Sequence, residues 1–123
     1  MIDHVGVNVS DYAVSRRFYE QALEPLGYRV LMAMDEWKAC GFGRDRKPSF
    51  WLAEREPFGT GTHVAFEAAD RVAVDAFHAA ALAAGGRDNG APGLREEYHP
   101  TYYGAFVLDP DGNNAEAVYH GAA

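Results

Sequence analysis

Apolar and polar positions along this chain follow two rhythms, and the rhythms arrive in the same order twice. Near its start, Ile2, Val5, Val7 and Val9 alternate with other residues as in a half-buried strand over 2–9. Ser10 and Asp11 then offer helix-capping side chains to a stretch where Val14, Phe18 and Ala22 recur at helical spacing, until Pro25 and Gly27 stop it. Residues 28–34, 37–42 and 49–53 read as three short strands, with a polar turn at 43–48 before the last. A linker at 57–61 follows, and the order begins again. A strand over 62–68 leads to a helix capped by Asp70 that carries Val74, Phe77 and Ala81 and ends at Gly85 and Gly86. The stretch 87–98 contains Gly and Pro and reads as a strand opening into a long loop. Strands over 103–108 and 114–119 close the chain, joined by the turn Asp109-Pro110-Asp111-Gly112. Trp37 and Phe42 read as sheet core, Phe18 and Phe77 as the anchors of the two helices, and His78 as solvent-facing.

The repetition extends to residue identity. At one offset of 59, His4 pairs with His63, Val5 with Val64, Asp11 with Asp70, Phe18 with Phe77, Leu23 with Leu82 and Gly27 with Gly86. The chain therefore divides into two strand–helix–strand–strand–strand modules, 1–56 and 62–120, within a single domain of 123 residues. A half this short cannot bury its own apolar face, so the two must pack together. Residues repeated at such a pseudo-twofold seam are placed to converge on one ligand.

Composition narrows the function classes. The formal net charge is −7 with a pI near 5.1, and no Lys/Arg cluster could neutralise a run of phosphates, which argues against nucleic-acid binding. The single cysteine, Cys40, excludes an internal disulfide and a cysteine-based metal knuckle and fits a reducing compartment. No apolar run is long enough to span a membrane. A cytoplasmic location is the expectation.

The tail Asp109-Pro110-Asp111-Gly112-Asn113-Asn114-Ala115-Glu116, the histidine on the first strand of each module, and Arg17-Phe18-Tyr19 followed by Leu26-Gly27-Tyr28 resemble the vicinal-oxygen-chelate superfamily. That group includes glyoxalase I, extradiol dioxygenases, the fosfomycin resistance enzymes and the bleomycin resistance proteins. The resemblance runs over essentially the whole chain. It implies an α+β fold of two tandem βαβββ modules whose strands form a cup-shaped, partly open β-barrel. It further implies one divalent metal ion (Fe, Mn, Ni, Co or Zn), a small-molecule substrate and a homodimer.

Carried onto this chain, the superfamily's ligand positions are His4, His63, Glu116 and a fourth place near Trp51. Two imidazoles and a carboxylate with positions left open suit a substrate-activating ion. Glu116 also reads as a surface carboxylate on an edge strand, although its apolar neighbours make an unpaired charge there costly. Where glyoxalase I carries a second glutamate, this chain offers Trp51 or Leu52, and Glu54 is displaced by one or two steps. Glyoxalase I activity is thereby disfavoured relative to dioxygenase- or thiol-transferase-like chemistry. A fosfomycin-type reading would draw its cations from Arg87 and Arg95. In the loop 96–103, His99 and Tyr103 are candidates for proton transfer, with Tyr98, Tyr102, Arg95 and Trp51 lining a substrate pocket. The same loop also reads as a polar aromatic surface or a dimer contact. The rival to an enzyme is a metal-free protein of the bleomycin resistance type that sequesters a ligand.

Overall fold

The computed structural model describes residues 1–122 and places them in two four-stranded sheets with one helix each. The first module runs β1 (Val5–Val9), α1 (Tyr12–Ala22), β2 (Arg29–Met34), β3 (Ala39–Gly43) and β4 (Phe50–Glu54). The second runs β5 (His63–Glu67), α2 (Arg71–Ala83), β6 (Arg87–Leu94), β7 (Tyr103–Leu108) and β8 (Asn114–Tyr119). The sheet orders are β1-β4-β3-β2 and β5-β8-β7-β6. In each, the first strand lies parallel to the last, and the remaining pairs are antiparallel. This is the α+β, twice-βαβββ architecture expected from the sequence, with sheets that stay unclosed.

Equivalent cues start both helices. Asp11 accepts from the Val14 amide at 3.1 Å and Asp70 from the Ala73 amide at 2.8 Å, satisfying amides that have no partner inside the helix. The buried stripe of α2 is Val74, Phe77 and Ala81, whereas that of α1 is Ser15, Phe18, Tyr19 and Ala22. Val14, expected on that stripe, is 40% exposed because the face is centred one position later. Trp37 also departs from expectation: it lies in a 3-10 turn (Asp35–Trp37) rather than in a strand and is 70% exposed, while Phe42 is fully buried. His78 is more enclosed than its helix position indicated, because its Nε2 pairs with Asp88 at 3.0 Å.

The helix-bearing faces of the two sheets share one core. Phe18, Tyr19, Phe42, Phe50 and Leu52 from the first module join Phe66, Phe77, Val107 and Ala117 from the second. Across the join, the rings of Phe50 and Phe66 meet edge-on at 5.0 Å. Gly86 is required here, since a Cβ would stand 2.5 Å from Val107 and 2.7 Å from the Phe18 ring. A buried carboxylate joins the two modules beside this core. Asp109 Oδ1 accepts from the Asp111 and Asn113 amides, and its Oδ2 accepts from the Asn113 side chain and, at 2.7 Å, from the Tyr19 hydroxyl of the other module. Asp111 reaches back as well, accepting from the Ser10 amide at 3.0 Å. The Asp-Pro-Asp-Gly turn is thus a latch between modules. No helix among the described residues is long and apolar enough to cross a membrane.

Burial, together with the adjacent Asp109 charge and hydrogen bond, holds the Tyr19 phenol well above its usual pKa of 10.0. A raised folded-state pKa gives stability that is complete below pH 10 and is lost as pH rises through the folded value. Tyr19→Phe should therefore lower unfolding free energy at pH 7 by about 1–3 kcal/mol, the cost of a buried acceptor deprived of its donor, and should flatten part of the alkaline decline. Urea unfolding of both proteins from pH 7 to 11 checks this; an unchanged midpoint would remove Tyr19 from the latch.

Candidate functional site

Strand period and register decide which side chains leave the core. With Phe66, Ala115, Ala117, Ala105 and Val107 turned toward α2, the intervening residues face the other way. The register sets Ala65 beside Glu116, His63 beside Asn114, and Phe106 beside Glu116, so His63, Glu116 and Phe106 share the face that α2 does not cover. Glu116 is nevertheless only 1% exposed. Its Oε1 stands 2.7 Å from His63 Nε2, and its Oε2 accepts from the Tyr102 hydroxyl. Tyr102 is brought there by the turn that closes the β6–β7 loop, where Arg95 N–H donates to the Tyr102 carbonyl at 2.8 Å. Burial and the bond to Glu116 raise the Tyr102 pKa far above the usual phenol range, so the phenol is the donor at neutral pH.

Around this trio the loop builds an aromatic wall. Tyr98 and His120 each meet the Tyr102 ring edge-on at 5.1 Å. Gly104 lies beneath: a Cβ there would come within 3.1 Å of the Tyr102 ring and 3.3 Å of Glu116 Oε2. Neither Gly104, Phe106 nor His120 was singled out from the sequence. A glycine in mid-strand is the available signal, since it marks close approach of another group.

The remaining sequence candidates scatter. His99 is exposed on the rim, where its Nδ1 accepts from the Thr101 amide at 3.2 Å and its ring stands 6.1 Å from that of His120. Tyr103 faces away from the site: its hydroxyl donates to Asp75 of α2 at 2.7 Å and its ring lies under Arg71. The phenol at Glu116 is Tyr102 instead, the loop residue just before β7, which projects to the opposite side from Tyr103. Arg95 lies over the Phe106 ring on the same face as Glu116.

His4 and Trp51 belong to the corresponding uncovered face of the first sheet. Gly6 pairs with Trp51 as Ala65 pairs with Glu116, so the repeat makes Trp51 the counterpart of Glu116. Trp51 lies flat on Gly41, where a Cβ would stand 2.9 Å from the indole. A hollow of about 290 Å³ beside it is bordered by His4, Asn8, Ala53 and Arg55. Glu54 is committed elsewhere: it accepts from the Tyr12 amide at the start of α1 at 2.9 Å and pairs with Lys38. His4 pairs with Asp3 at 2.7 Å and does not join His63 and Glu116. Among the described residues, no three His, Cys, Asp or Glu side chains form a group that could hold a metal ion.

Residues 1–117 match the Glyoxalase/Bleomycin resistance protein/Dioxygenase superfamily, and the chain belongs to it. Among solved structures it is similar to a glyoxalase/bleomycin resistance protein from Albidiferax ferrireducens T118, at 32% identity and a TM-score of 0.76 over 96% of this chain and 97% of that one. The fold is shared at lower identity with a glyoxalase/bleomycin resistance protein/dioxygenase family enzyme from Burkholderia phytofirmans PsJN (19%, TM-score 0.72, 98% of each chain). It is shared too with a lactoylglutathione lyase from Agrobacterium tumefaciens (17%, TM-score 0.69, 97% of this chain and 92% of that one). No curated protein matches the chain significantly.

Tyr102→Phe removes one of the two partners of a buried carboxylate and should cost about 1–3 kcal/mol. Glu116→Gln, which keeps an oxygen and an amide in the same place, should cost less. Chemical denaturation of the two variants ranks them; equal stability of Tyr102→Phe and the parent would place the phenol off Glu116 in solution.

Proposed function

We propose that this protein is a metal-dependent enzyme acting on a small substrate with two neighbouring oxygens. In this reading it works as a homodimer, in which His63 and Glu116 of one copy are completed by His4 of a second. The observation that carries the reading is the pairing of buried Glu116 with His63 on a face that the chain's own helices leave uncovered. A carboxylate so deeply enclosed needs a partner of opposite charge, and a divalent ion supplies more of it than a half-exposed imidazole does.

The donor set fits such an ion as two-thirds of a site. One imidazole nitrogen and one carboxylate oxygen already converge, and the superfamily to which the chain belongs commonly binds a divalent metal. A third donor is missing from this surface, and His4, the repeat counterpart of His63, belongs to the other uncovered face. Setting the first sheet of one copy against the second sheet of another would bring the two faces together and close a cup, with Trp51 as its wall. Two imidazoles and a carboxylate suit Fe, Mn, Ni, Co or Zn. When bound, the ion supplies Lewis acidity, stabilising negative charge that develops on a substrate oxygen. The chain's own residues do the rest: Tyr102 fixes the carboxylate through Oε2, Tyr98 and Trp51 offer flat apolar contact, and His99 on the rim exchanges protons with solvent. Trp51 stands where a second carboxylate would be needed for glyoxalase I chemistry, which favours a dioxygenase- or thiol-transferase-like reaction.

A second reading is supported by one specific observation. Both oxygens of Glu116 have protein partners without any ion, as they would in a metal-free protein that sequesters a ligand in the same cup.

Elemental analysis of protein purified without added metal separates the two. The enzyme reading expects about one ion per chain, with affinity falling at least about tenfold in each of His4→Ala, His63→Ala and Glu116→Ala. Mixing His4→Ala and His63→Ala chains should then restore one intact site per mixed dimer, read as half the parent's metal content in the isolated mixed dimer and about a quarter in a statistically exchanged 1:1 mixture. Recovery of none would mean that the three ligands come from one chain, and no metal in the parent protein would leave the sequestering reading.

A further inference from the structure

The uncovered face of the second sheet holds a cation with no acidic partner. Strands β5, β7 and β8 contain no Lys or Arg, and none follows Arg95 in the sequence. None of the ion pairs among the described residues includes Arg95. Among the described residues only Arg16 of the nine arginines takes part in an ion pair, so what distinguishes Arg95 is where its guanidinium is held. It is also not free to wander. Arg95 Nη2 donates to the Ala91 carbonyl at 2.7 Å and Nη1 to the Gly93 carbonyl at 3.0 Å. Its Cζ lies 5.3 Å from the centre of the Phe106 ring.

The backbone is shaped to admit this arrangement. Strand β6 breaks register against β7 twice, between Asp88 and Gly90 and between Gly90 and Gly93. Gly90 sits at φ +151°, and a Cβ there would stand 2.9 Å from the Phe106 ring and 3.1 Å from Arg95 Nη2. A Cβ on Gly93 would come within 3.3 Å of Nη1. Both glycines therefore leave room for the guanidinium to lie on the sheet. Phe106, the platform beneath it, is the cross-strand neighbour of Glu116, and its ring centre is 6.3 Å from that of His63. A guanidinium has five N–H donors, of which two are taken by backbone carbonyls, so three remain for a ligand.

We propose that Arg95 is a specificity-determining residue that binds a carboxylate on the substrate, one side chain away from the oxygens gathered at His63 and Glu116. The substrate is thus an anionic acid carrying a neighbouring oxygen pair, rather than a neutral diol or dicarbonyl. A single fixed planar cation matches a planar monoanion in charge and shape. This rests on the metal-site reading for the oxygen pair, while the Arg95–carboxylate contact can be measured without it.

Catechol and 3,4-dihydroxybenzoate are suitable probes, because they share the oxygen pair and differ by one carboxylate. Calorimetry on the zinc-loaded full chain under argon should show 3,4-dihydroxybenzoate binding at least about tenfold more tightly than catechol, the scale of one charge-assisted hydrogen bond. Arg95→Gln should abolish that preference by weakening the acid alone, and Arg95→Lys, which keeps the charge and loses the fork, should retain part of it. In parallel, the Arg95 Nε–H resonance of the metal-free protein should move on titration with 3,4-dihydroxybenzoate and stay still with catechol. Equal binding of the two probes by the parent protein, or a preference undiminished in Arg95→Gln, would overturn the proposal. If zinc does not bind, the metal reading fails, and the resonance decides the Arg95 contact by itself: a shift with the acid alone upholds it, and no shift overturns it.

Discussion

One helix per module can cover only one face of a four-stranded sheet, and most of this structure follows from where the two helices lie. Both pack into a common core built on the backs of both sheets, so the modules stabilise each other through Phe18, Phe50, Phe66 and Phe77. Neither half could retain that core alone. The consequence for chemistry is that two sheet faces are left bare. On each, the strand period exposes whatever residues fall between the core positions, and those are the residues free to serve a ligand.

The Asp109 latch ties this core to the site. Glu116 follows Asp109 by seven residues, so the turn that fixes Asp109 against Tyr19 also sets the phase of β8. A slip of one residue would put Glu116 into the core and an alanine onto the bare face. The carboxylate of Asp109 accepts from four donors and is buried for the sake of position. That of Glu116 has two partners and lies on the sheet face that α2 does not cover. Two buried carboxylates seven residues apart thus have different work, which their surroundings make plain.

Much of this was legible in the residues. The offset of 59 and the two periodicities define the modules, and the aspartate caps locate both helix starts. His63 and Glu116, chosen by resemblance, meet in space. What the chain could not disclose was orientation. Tyr102 and Tyr103 are equivalent as letters, and only the loop-closing turn before β7 tells which points to Glu116. Trp37 looked like core because it is large and apolar, yet a left-handed Lys38 (φ 51°) ends a 3-10 turn there and leaves the indole outside. Arg95 could be noted only as a nearby cation; the two register breaks that lay it on Phe106 come from glycines whose effect depends on the neighbouring strand.

The duplication is informative where it fails. His4 and His63 are retained at equivalent places, but the position that is Glu116 in the second module is Trp51 in the first. Were both modules still equivalent, each bare face would carry its own imidazole–carboxylate pair, and the two acids could face each other only across a cation. With an indole at the equivalent place, one face presents an imidazole–carboxylate pair and a guanidinium, and the other presents a histidine and a flat apolar surface over Gly41. In the dimeric reading proposed above, two copies related by a twofold axis would each lend the Trp51 wall to the other's Glu116 centre.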